Sequence, residues 1–205
     1  MIELTTPNEI TGVILAGGAG RRMEGQDKGL VELNGKPFIS WTLERLRPQV
    51  KHIIVSANRN LSTYKALGLT VISDESPESY EGPVAGIVRC LEQLETPWAC
   101  VVPVDAPLIP PELVATLETA CSRGANLILL EIEGRLQPLF GLYSKSLLAS
   151  LKAYYDQGER KLIKWCEQQQ PIILSWEGDT FYFRNLNSTS ERNQFEIELQ
   201  DIAPK

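Results

Sequence analysis

From residue 11 to residue 121, short apolar runs alternate with segments in which apolar residues recur every three to four positions. The apolar runs stop at polar or glycine residues, as buried strands do, and proline or glycine bounds the periodic segments. Strands that are joined by helical crossovers have to run parallel, with right-handed connections. The pattern therefore predicts a layered α/β sheet with strands at Thr11–Ala16, His52–Ala57, Thr70–Ser73 and Trp98–Val104, and helices at about 37–46, 61–67, 84–94 and 110–121.

After residue 121 the alternation is looser. We predict strands at 126–132 and 139–143 around a loop at 133–138, helices at 144–155 and 161–169, strands at 172–176 and 180–183, and a last amphipathic helix at 188–199. The sequence contains no internal repeat, low-complexity tract or Gly/Ser linker. We therefore expect a single domain over residues 1–205, with a three-layer α/β/α arrangement around a mostly parallel sheet.

The composition is that of an ordinary globular protein, and it excludes several functions. With 20 Lys and Arg against 26 Asp and Glu, the net charge is −6, and no basic cluster suits nucleic acid. No apolar run approaches the ~18 residues of a membrane span. His52 is the only histidine and the four cysteines form no CxxC pair, which excludes the usual zinc sites and most histidine-activated nucleophiles. We expect a cytoplasmic protein with reduced cysteines that binds neither nucleic acid nor membrane.

A glycine-rich turn follows the first predicted strand, in the sequence Leu15-Ala-Gly-Gly-Ala-Gly-Arg-Arg-Met23. Glycines let a backbone turn tightly and approach a ligand, and successive N–H groups in such a turn form a nest for anions. Arg21, Arg22 and Lys28 add positive charge to the same segment. Taken alone, the segment is equally compatible with an ordinary turn and with a phosphate-binding loop.

Two familiar phosphate-binding loops do not fit this turn. The dinucleotide fingerprint needs a third glycine, whereas Gly18-Ala-Gly20 continues with Arg-Arg-Met, and the next strand ends without the required acidic residue. The Walker loop needs Gly-Lys-Ser/Thr, whereas Lys28 stands in Asp27-Lys28-Gly29. If the turn binds phosphates, it is a polyphosphate cradle of a third kind.

Two other predicted strands stop at an aspartate, Asp74 and Asp105. Ligands of open parallel sheets bind at the carboxyl ends of the strands, so we expect both carboxylates to lie near the glycine-rich turn. One or two carboxylates together with substrate phosphates are the usual surroundings of Mg²⁺. Asp105 is therefore a candidate Mg²⁺ ligand, and the structural alternative is an aspartate that caps a helix or a turn.

An ordered set of motifs along most of the chain resembles the molybdenum cofactor guanylyltransferase family, which belongs to the nucleotidyltransferases with a dinucleotide-binding-like α/β fold. The motif at Leu15–Met23 alone indicates only that superfamily, whereas the whole set is far more specific. The motifs are Leu15-Ala-Gly-Gly-x-x-x-Arg22-Met23, Asp27-Lys28, Leu33-Asn-Gly-Lys-Pro37, Ser56-Ala-Asn-Arg59, Gly82-Pro-Val-Ala-Gly86, Asp105-Ala-Pro-Leu-Ile-Pro110, Gln137-Pro-Leu-Phe140 and Asn185-Leu-Asn187.

The resemblance implies a reaction in which GMP is transferred from GTP to a phosphate of molybdopterin, or of molybdenum-molybdopterin, with release of pyrophosphate. It implies Mg²⁺ as the cofactor. The N-terminal half would hold GTP and Mg²⁺, and the C-terminal part would lie towards molybdopterin. Transient contacts with cofactor-synthesis proteins or with acceptor molybdoenzymes are the expected protein partners.

The resemblance also implies roles for individual residues. Lys28 would neutralise the triphosphate, Arg22 would assist at the phosphates, and Asp105 would hold Mg²⁺. Asp74 would contact the guanosine, where its carboxylate could accept from the N1–H and N2–H₂ groups of guanine or from ribose hydroxyls. The remaining implied binding residues are Leu15, Ala16 and Gly17 at the nucleotide, Gly18 at its phosphates, Gly82 where the base or second substrate approaches, and Asn185 and Asn187 towards the pterin.

Three positions depart from the family pattern. Glu24 follows Arg22-Met23 where the family has glycine, Ser56 stands where relatives often carry asparagine, and Asn187 is followed by Ser-Thr-Ser rather than Thr-Pro-Glu. We therefore assign no ligand role to Ser56. The alternatives within the same class are transfer of CMP to molybdopterin or of a nucleotide to a sugar phosphate. Outside it, they are a silent nucleotide-binding module that delivers cofactor and an unrelated α/β domain.

Overall fold

The computed structural model of the chain describes residues 9–18, 26–74 and 81–202. The strands in these ranges are β1 (Ile10–Leu15), β2 (Glu32–Leu33), β3 (Lys36–Pro37), β4 (His52–Ser56), β5 (Thr70–Ile72), β6 (Trp98–Pro103), β7 (Leu127–Ile132), β8 (Arg135–Ser144) and β9 (Ile172–Ser175). The helices are α1 (Phe38–Leu46), α2 (Leu61–Ala66), α3 (Pro83–Glu92), α4 (Leu113–Glu118), α5 (Leu148–Asp156), α6 (Leu162–Gln168) and α7 (Thr189–Ile202). No helix in the described ranges is both long and apolar enough to cross a membrane.

Seven strands form one sheet in the order β5-β4-β1-β6-β8-β7-β9, and β2 and β3 form a separate hairpin. Strands β4, β5, β1 and β6 are parallel, and β9 is parallel to β7. Strand β8 runs antiparallel to both of its neighbours. The predicted mostly parallel α/β sheet is therefore confirmed, and the antiparallel strand links the first half of the chain to the last third.

Helices cover both faces of the sheet, as alternate residues of β1 illustrate. Ile10 and Ile14 are fully buried under α1, α2, α4 and α7, whereas Val13 is fully buried under α3, α5 and α6. Removing one such aliphatic side chain from water stabilises the fold by about 1.5–3 kcal/mol. The two apolar layers pack the sheet between the helices and leave the strand ends free to form a site.

One hairpin is longer than the sequence pattern predicted. The predicted loop at 133–138 contains only a two-residue turn at Glu133 and Gly134, both with positive φ, and Arg135–Ser144 is a single strand. Leu129 pairs with Gly141, but the next residue, Leu130, pairs with Gln137. Residues 138–140 therefore bulge out of the ladder. The sequence pattern did not predict this strand, because the segment contains polar residues and a proline. Proline has no N–H to donate to strand pairing, and here it lies at the bulge.

The predicted strand at Thr180–Phe183 is wrong, because these residues form a 3-10 helix. Asp179 caps this helix by accepting a hydrogen bond from the Phe181 backbone N–H at 2.9 Å. Phe181 stacks on Phe195 of α7, with ring centroids 4.4 Å apart. The aromatic residues that suggested a strand are thus used to pack α7 against the domain. A smaller difference is that Pro37 precedes α1 instead of lying in its first turn.

Candidate functional site

The carboxyl ends of the four parallel strands β1, β4, β5 and β6 share one edge of the sheet. Pairing aligns Leu15 with Ser56 and Pro103, and Ser56 with Ile72. A cavity of about 430 Å³ opens at this edge. It is lined by Leu15, Ala16, Gly17, Gly18, Lys28, Ser56, Asp74, Gly82, Pro83, Gly86, Pro103, Val104, Asp105 and Leu139. Eight of the candidate binding residues predicted from the sequence therefore line one cavity.

Backbone pairing continues past the end of β1 and fixes the start of the glycine-rich turn. The Ala16 N–H donates to the Ser56 carbonyl at 2.8 Å, and the Val104 N–H donates to the Leu15 carbonyl at 3.1 Å. Among the described residues, a Cβ added at Gly18 would meet nothing within 4 Å. None of these residues therefore requires a glycine at this position, and none of them fills the space beside it.

Lys28 joins the end of β6 to the segment before α7. Its Nζ donates to Asp105 Oδ2 at 2.7 Å and to Asn187 Oδ1 at 2.6 Å, and the Lys28 and Asp105 side chains are each only 18% exposed. The Leu186 N–H donates to the Asp105 carbonyl at 2.7 Å, which holds the two segments together. Because an ammonium group has three donors, Lys28 retains one for a ligand.

The two asparagines that were expected towards the pterin occupy different surroundings. Asn187 contacts Lys28, at the end of the cavity that Asp105 also lines. Asn185 is exposed and does not line the cavity. Arg22, the third implied catalytic residue, lies outside the described residues.

The buried carboxylate of Asp27 fixes the start of the turn that carries Lys28. Its Oδ1 accepts from the Gly29 N–H at 3.1 Å and from the Tyr64 hydroxyl at 2.6 Å, and its Oδ2 accepts from Asn60 Nδ2 at 3.0 Å. Burial, and then the neighbouring Asp27 carboxylate, raise the pKa of Tyr64 far above its usual value, so the phenol remains a donor. Lys28 therefore extends from a rigid backbone.

Asp74 is held by a two-bond pair with Asn58. The Asp74 N–H donates to Asn58 Oδ1 at 2.9 Å, and Asn58 Nδ2 donates to Asp74 Oδ2 at 2.7 Å. The other carboxylate oxygen, Oδ1, is buried and has no hydrogen-bond partner within residues 9–18, 26–74 and 81–202. Buried polar atoms without partners are uncommon in native proteins and often mark functional sites.

Helix α3 begins at the cavity wall. Gly82 precedes it with a φ of 79°, a left-handed conformation that favours glycine, and Pro83 follows at the first helical position. One turn later, a Cβ at Gly86 would lie 2.6 Å from Ser56 Oγ. A side chain at Gly86 would therefore force the Ser56 hydroxyl to move, and the close packing of α3 on β4 places the amino end of a helix beside the cavity.

Sequence reasoning missed several residues that shape this site. Ser56 lines the cavity although no role was assigned to it, and Asn58 and Asn60 orient the carboxylates of Asp74 and Asp27. Arg59 Nη2 donates to the Gly18 carbonyl at 3.2 Å and to the Gln26 carbonyl at 3.2 Å. A signal was available, because Ser56 ends β4 and residues 58–60 come shortly after it, at the same sheet edge as the glycine-rich turn.

The donor set around Asp105 suits a cation that arrives with phosphates. No group of three or more His, Cys, Asp or Glu side chains suited to a metal occurs in the part of the chain that the structure describes. Asp105 offers one carboxylate, and the amide oxygen of Asn187 accepts a hydrogen bond from Lys28, the lysine that also bonds Asp105. Mg²⁺ typically binds one or two carboxylates plus substrate phosphates and water, so these residues fit Mg²⁺ delivered by a nucleotide.

Fold and cavity together define a class of protein. A parallel sheet edge that combines open backbone at a glycine-rich turn, a lysine and an aspartate is suited to binding the phosphates of a nucleotide with a divalent cation. A family model described as the MobA-like NTP transferase domain matches residues 12–172. The chain belongs to this family of nucleotidyltransferases.

Relatives extend the match over nearly the whole chain. A molybdenum cofactor guanylyltransferase of Shewanella putrefaciens is 39% identical over 94% of this chain and 98% of its own length. The corresponding protein of Shewanella woodyi is 42% identical over 90% of this chain and 94% of its own length. Among solved structures, molybdopterin-guanine dinucleotide biosynthesis protein A of Archaeoglobus fulgidus superposes with a TM-score of 0.77 at 23% identity, covering 93% of this chain and 99% of that one, and it supports the fold.

Proposed function

We propose that this chain transfers GMP from GTP to molybdopterin or molybdenum-molybdopterin, forming molybdopterin guanine dinucleotide and releasing pyrophosphate. The observation that carries the proposal is the convergence of the Leu15–Gly18 backbone, Lys28, Asp74 and Asp105 on one cavity. These residues carry the family motifs, and the named relatives are guanylyltransferases. The cavity volume of about 430 Å³ falls in the usual range of small-molecule sites.

In the proposed reaction, a terminal phosphate oxygen of molybdopterin forms a bond to the α-phosphorus of GTP. The bond between that phosphorus and the oxygen bridging to the β-phosphate breaks, and pyrophosphate leaves with the electron pair. The attacking oxygen is already anionic, so no base has to remove a proton from it. His52, the only histidine, is exposed at the start of β4, at the opposite end of that strand from Ser56 in the cavity wall.

Catalysis would then depend on placement and charge. Holding two reactants in register can lower a barrier by about 7–11 kcal/mol in the best intramolecular cases. The backbone N–H groups at Gly17 and Gly18 would face the triphosphate as fixed positive groups, and the Lys28 ammonium would turn to it on binding. Asp105 would hold Mg²⁺, which when bound supplies charge neutralisation at the phosphates.

The ion pair between Lys28 and Asp105 indicates an exchange of partners on binding. In this structure the ammonium is bonded to Oδ2, one of the two oxygens of the Asp105 carboxylate. When a nucleotide enters with Mg²⁺, Lys28 would move its hydrogen bonds to the phosphates and Asp105 would turn to the cation. Attraction between unit charges is strong in a half-buried site, so each new contact compensates for one that is broken.

Asp74 is the proposed contact to the guanosine. Its carboxylate can accept from the adjacent N1–H and N2–H₂ donors of guanine, and adenine presents a different pattern. Its bonds to Asn58 hold the group in one orientation.

We further propose that the protein works in the cytoplasm and passes its product to acceptor molybdoenzymes by transient contacts.

The proposal is tested by incubating the protein with Mg²⁺ and each nucleoside triphosphate in turn, with and without molybdopterin. Pyrophosphate release is measured, and the product is identified by mass spectrometry. We expect release with GTP that requires molybdopterin and yields the guanine dinucleotide. Release with CTP instead would identify a cytidylyltransferase, and tight GTP binding without product would identify a delivery module.

A further inference from the structure

Three consecutive residues, Asn58, Arg59 and Asn60, contact three separate parts of the site, and we call them the brace segment. Asn58 holds the Asp74 carboxylate, and Asn60 holds the Asp27 carboxylate beside Lys28. Arg59, between them, bonds to the carbonyls of Gly18 and Gln26. One short segment therefore connects β1, β5 and the turn that carries Lys28.

The contacts of Arg59 connect both sides of the glycine- and arginine-rich turn. Gly18 precedes Gly20, Arg21 and Arg22 in the sequence, and Gln26 follows them. A single nitrogen, Arg59 Nη2, lies 3.2 Å from each of the two carbonyl oxygens. The two oxygens therefore lie within twice that distance of each other, and both accept a hydrogen bond from the same guanidinium group.

The backbone on both sides of Arg59 is fixed. The Ala57 N–H donates to the Ile72 carbonyl at 2.9 Å, which extends the pairing of β4 with β5 up to the brace segment. Asn60 has a φ of 50°, and its carbonyl accepts from the Thr63 N–H at 2.9 Å at the start of α2. A side chain that extends from so constrained a backbone can position other groups instead of following their movement.

We propose that Arg59 is a positioning residue for the triphosphate, acting by holding the two ends of the glycine-rich turn at a fixed separation. This inference rests on the proposed nucleotidyltransferase function. Without Arg59, two carbonyl oxygens beside a polyanion lose a cationic partner, and the backbone at Gly18 is no longer tied to the backbone at Gln26. The loss falls on the triphosphate and spares the nucleoside, because the Asn58 contact to Asp74 does not depend on Arg59.

The test compares Arg59→Ala and Arg59→Lys with Arg47→Ala in the full chain. Arg47 is a matched control, because its Nη2 also donates to a backbone carbonyl, that of Leu67 at 3.3 Å, on an exposed surface outside the cavity. Calorimetry measures binding of Mg²⁺–GTP and of guanosine. Hydrogen exchange is followed in the peptide 15–28 and, as a reference, in α2.

We expect Arg59→Ala to weaken GTP binding by about tenfold or more, as for loss of hydrogen bonds from a charged donor, and to leave guanosine binding unchanged. Exchange in the peptide 15–28 becomes faster while α2 is unaffected. Arg59→Lys remains defective, since the lysine side chain is one atom shorter than the path to Arg59 Nη2 and ends in a strongly hydrated ammonium group. Arg47→Ala behaves as the parent protein.

Four results would overturn the inference. The first is unchanged GTP binding in Arg59→Ala, and the second is weaker GTP binding with unchanged hydrogen exchange, which would indicate a direct phosphate contact. The third is an equal loss of guanosine and GTP binding, which would indicate a general structural role. The fourth is full recovery of GTP binding in Arg59→Lys, which would show that charge alone is needed. A parent protein that binds no GTP contradicts the proposed function itself. A parent that binds GTP while Arg59→Ala binds it equally well contradicts only the role of Arg59.

Discussion

The region from β1 to β6 and the region from β7 to α7 share one sheet but differ in what they bury. Every buried polar or charged side chain within the described ranges precedes β6: Thr11, Asp27, Thr42, Gln49, Ser56 and Thr96. The second region buries an apolar and aromatic interior, with Trp165, Tyr143, Phe140 and Phe195 almost fully enclosed. A buried polar group destabilises a fold unless it is hydrogen-bonded, so such groups are most useful where orientation matters.

The difference indicates how the work is divided. The first region supplies most of the cavity wall and the network that orients Asp27 and Asp74. The second region reaches the site through Leu139, at the bulge of β8, and through Asn187, on Lys28. The second region therefore completes the proposed nucleotide site, most of which the first region builds, and the following changes test that division.

The largest effect is expected for Lys28→Ala. Loss of a preorganised cation at the triphosphate should lower turnover by about 100-fold or more, which corresponds to about 3 kcal/mol or more of barrier. The melting temperature should change little, because the bond from the Leu186 N–H to the Asp105 carbonyl still holds the two segments together. Lys36→Ala is the control, since Lys36 pairs with Glu44 outside the cavity. Equal losses of turnover and of thermal stability would instead identify a structural lysine.

Asp74→Asn should reduce GTP use by about tenfold or more, because it removes a charge-assisted acceptor for the guanosine. Asparagine still presents an oxygen to Asn58, so the fold is preserved. The decisive quantity is the ratio of kcat/KM for GTP to that for ATP. That ratio should fall if Asp74 recognises the base, and an unchanged ratio with lower GTP use would restrict Asp74 to the ribose.

Binding of Mn²⁺, measured by electron paramagnetic resonance, should depend on the nucleotide. Lys28 engages Asp105 in the free protein, so GTP should tighten Mn²⁺ binding by about tenfold or more. Lys28→Ala should bind Mn²⁺ without nucleotide more tightly than the parent, and Asp105→Ala should bind it least. Equal binding by the parent and Lys28→Ala in the absence of GTP would show that the ion pair does not compete with the cation.

Asn187→Ala and Asn185→Ala should differ in their effects on the kinetics, although the two residues are only two positions apart. Asn187 holds Lys28, so its loss should lower kcat about fivefold, the effect of one hydrogen bond of about 1 kcal/mol. Asn185 is exposed and outside the cavity wall, so its removal should leave KM for GTP unchanged. A larger effect on GTP kinetics from Asn185→Ala would reverse the order of the two residues.

The smallest effect is expected from thiol alkylation. Burial raises the pKa of Cys90 and of Cys100 to about 12 and that of Cys166 to about 11. At pH 8, below all three values, the thiols are protonated and unreactive, and the reactive thiolate appears only as the pH approaches those values. Iodoacetamide at pH 8 should therefore leave activity intact, and mass spectrometry should find these three cysteines unmodified in the folded protein.

The sequence pattern predicted the first region well because local signals suffice there. Buried parallel strands give continuous apolar runs, and the residues that follow them lie at one edge of the sheet. Gly17, Asp74 and Asp105 could therefore be placed together without any knowledge of the side-chain contacts. The roles of these residues in the reaction remain predictions.

The contacts that complete the site were not predictable in this way. Lys28 and Asn187 are 159 positions apart, and no local period connects them. Asn58 and Arg59 lie in one of the family motifs, but nothing in the sequence shows which carboxylates and carbonyls they and Asn60 contact. In the second region, the aromatic residues at 180–183 pack as a 3-10 helix because Phe181 meets Phe195, a tertiary contact that overrides the strand preference of the segment.

The most direct measurement is a crystal structure of the protein with Mg²⁺ and a non-hydrolysable GTP analogue. We predict the triphosphate along the backbone of Leu15–Gly18, the cation on Asp105, and Lys28 moved from Asp105 to the phosphates. A nucleotide bound elsewhere, or bound here with Lys28 still paired to Asp105 and no cation between the carboxylate and the phosphates, would contradict the proposed site.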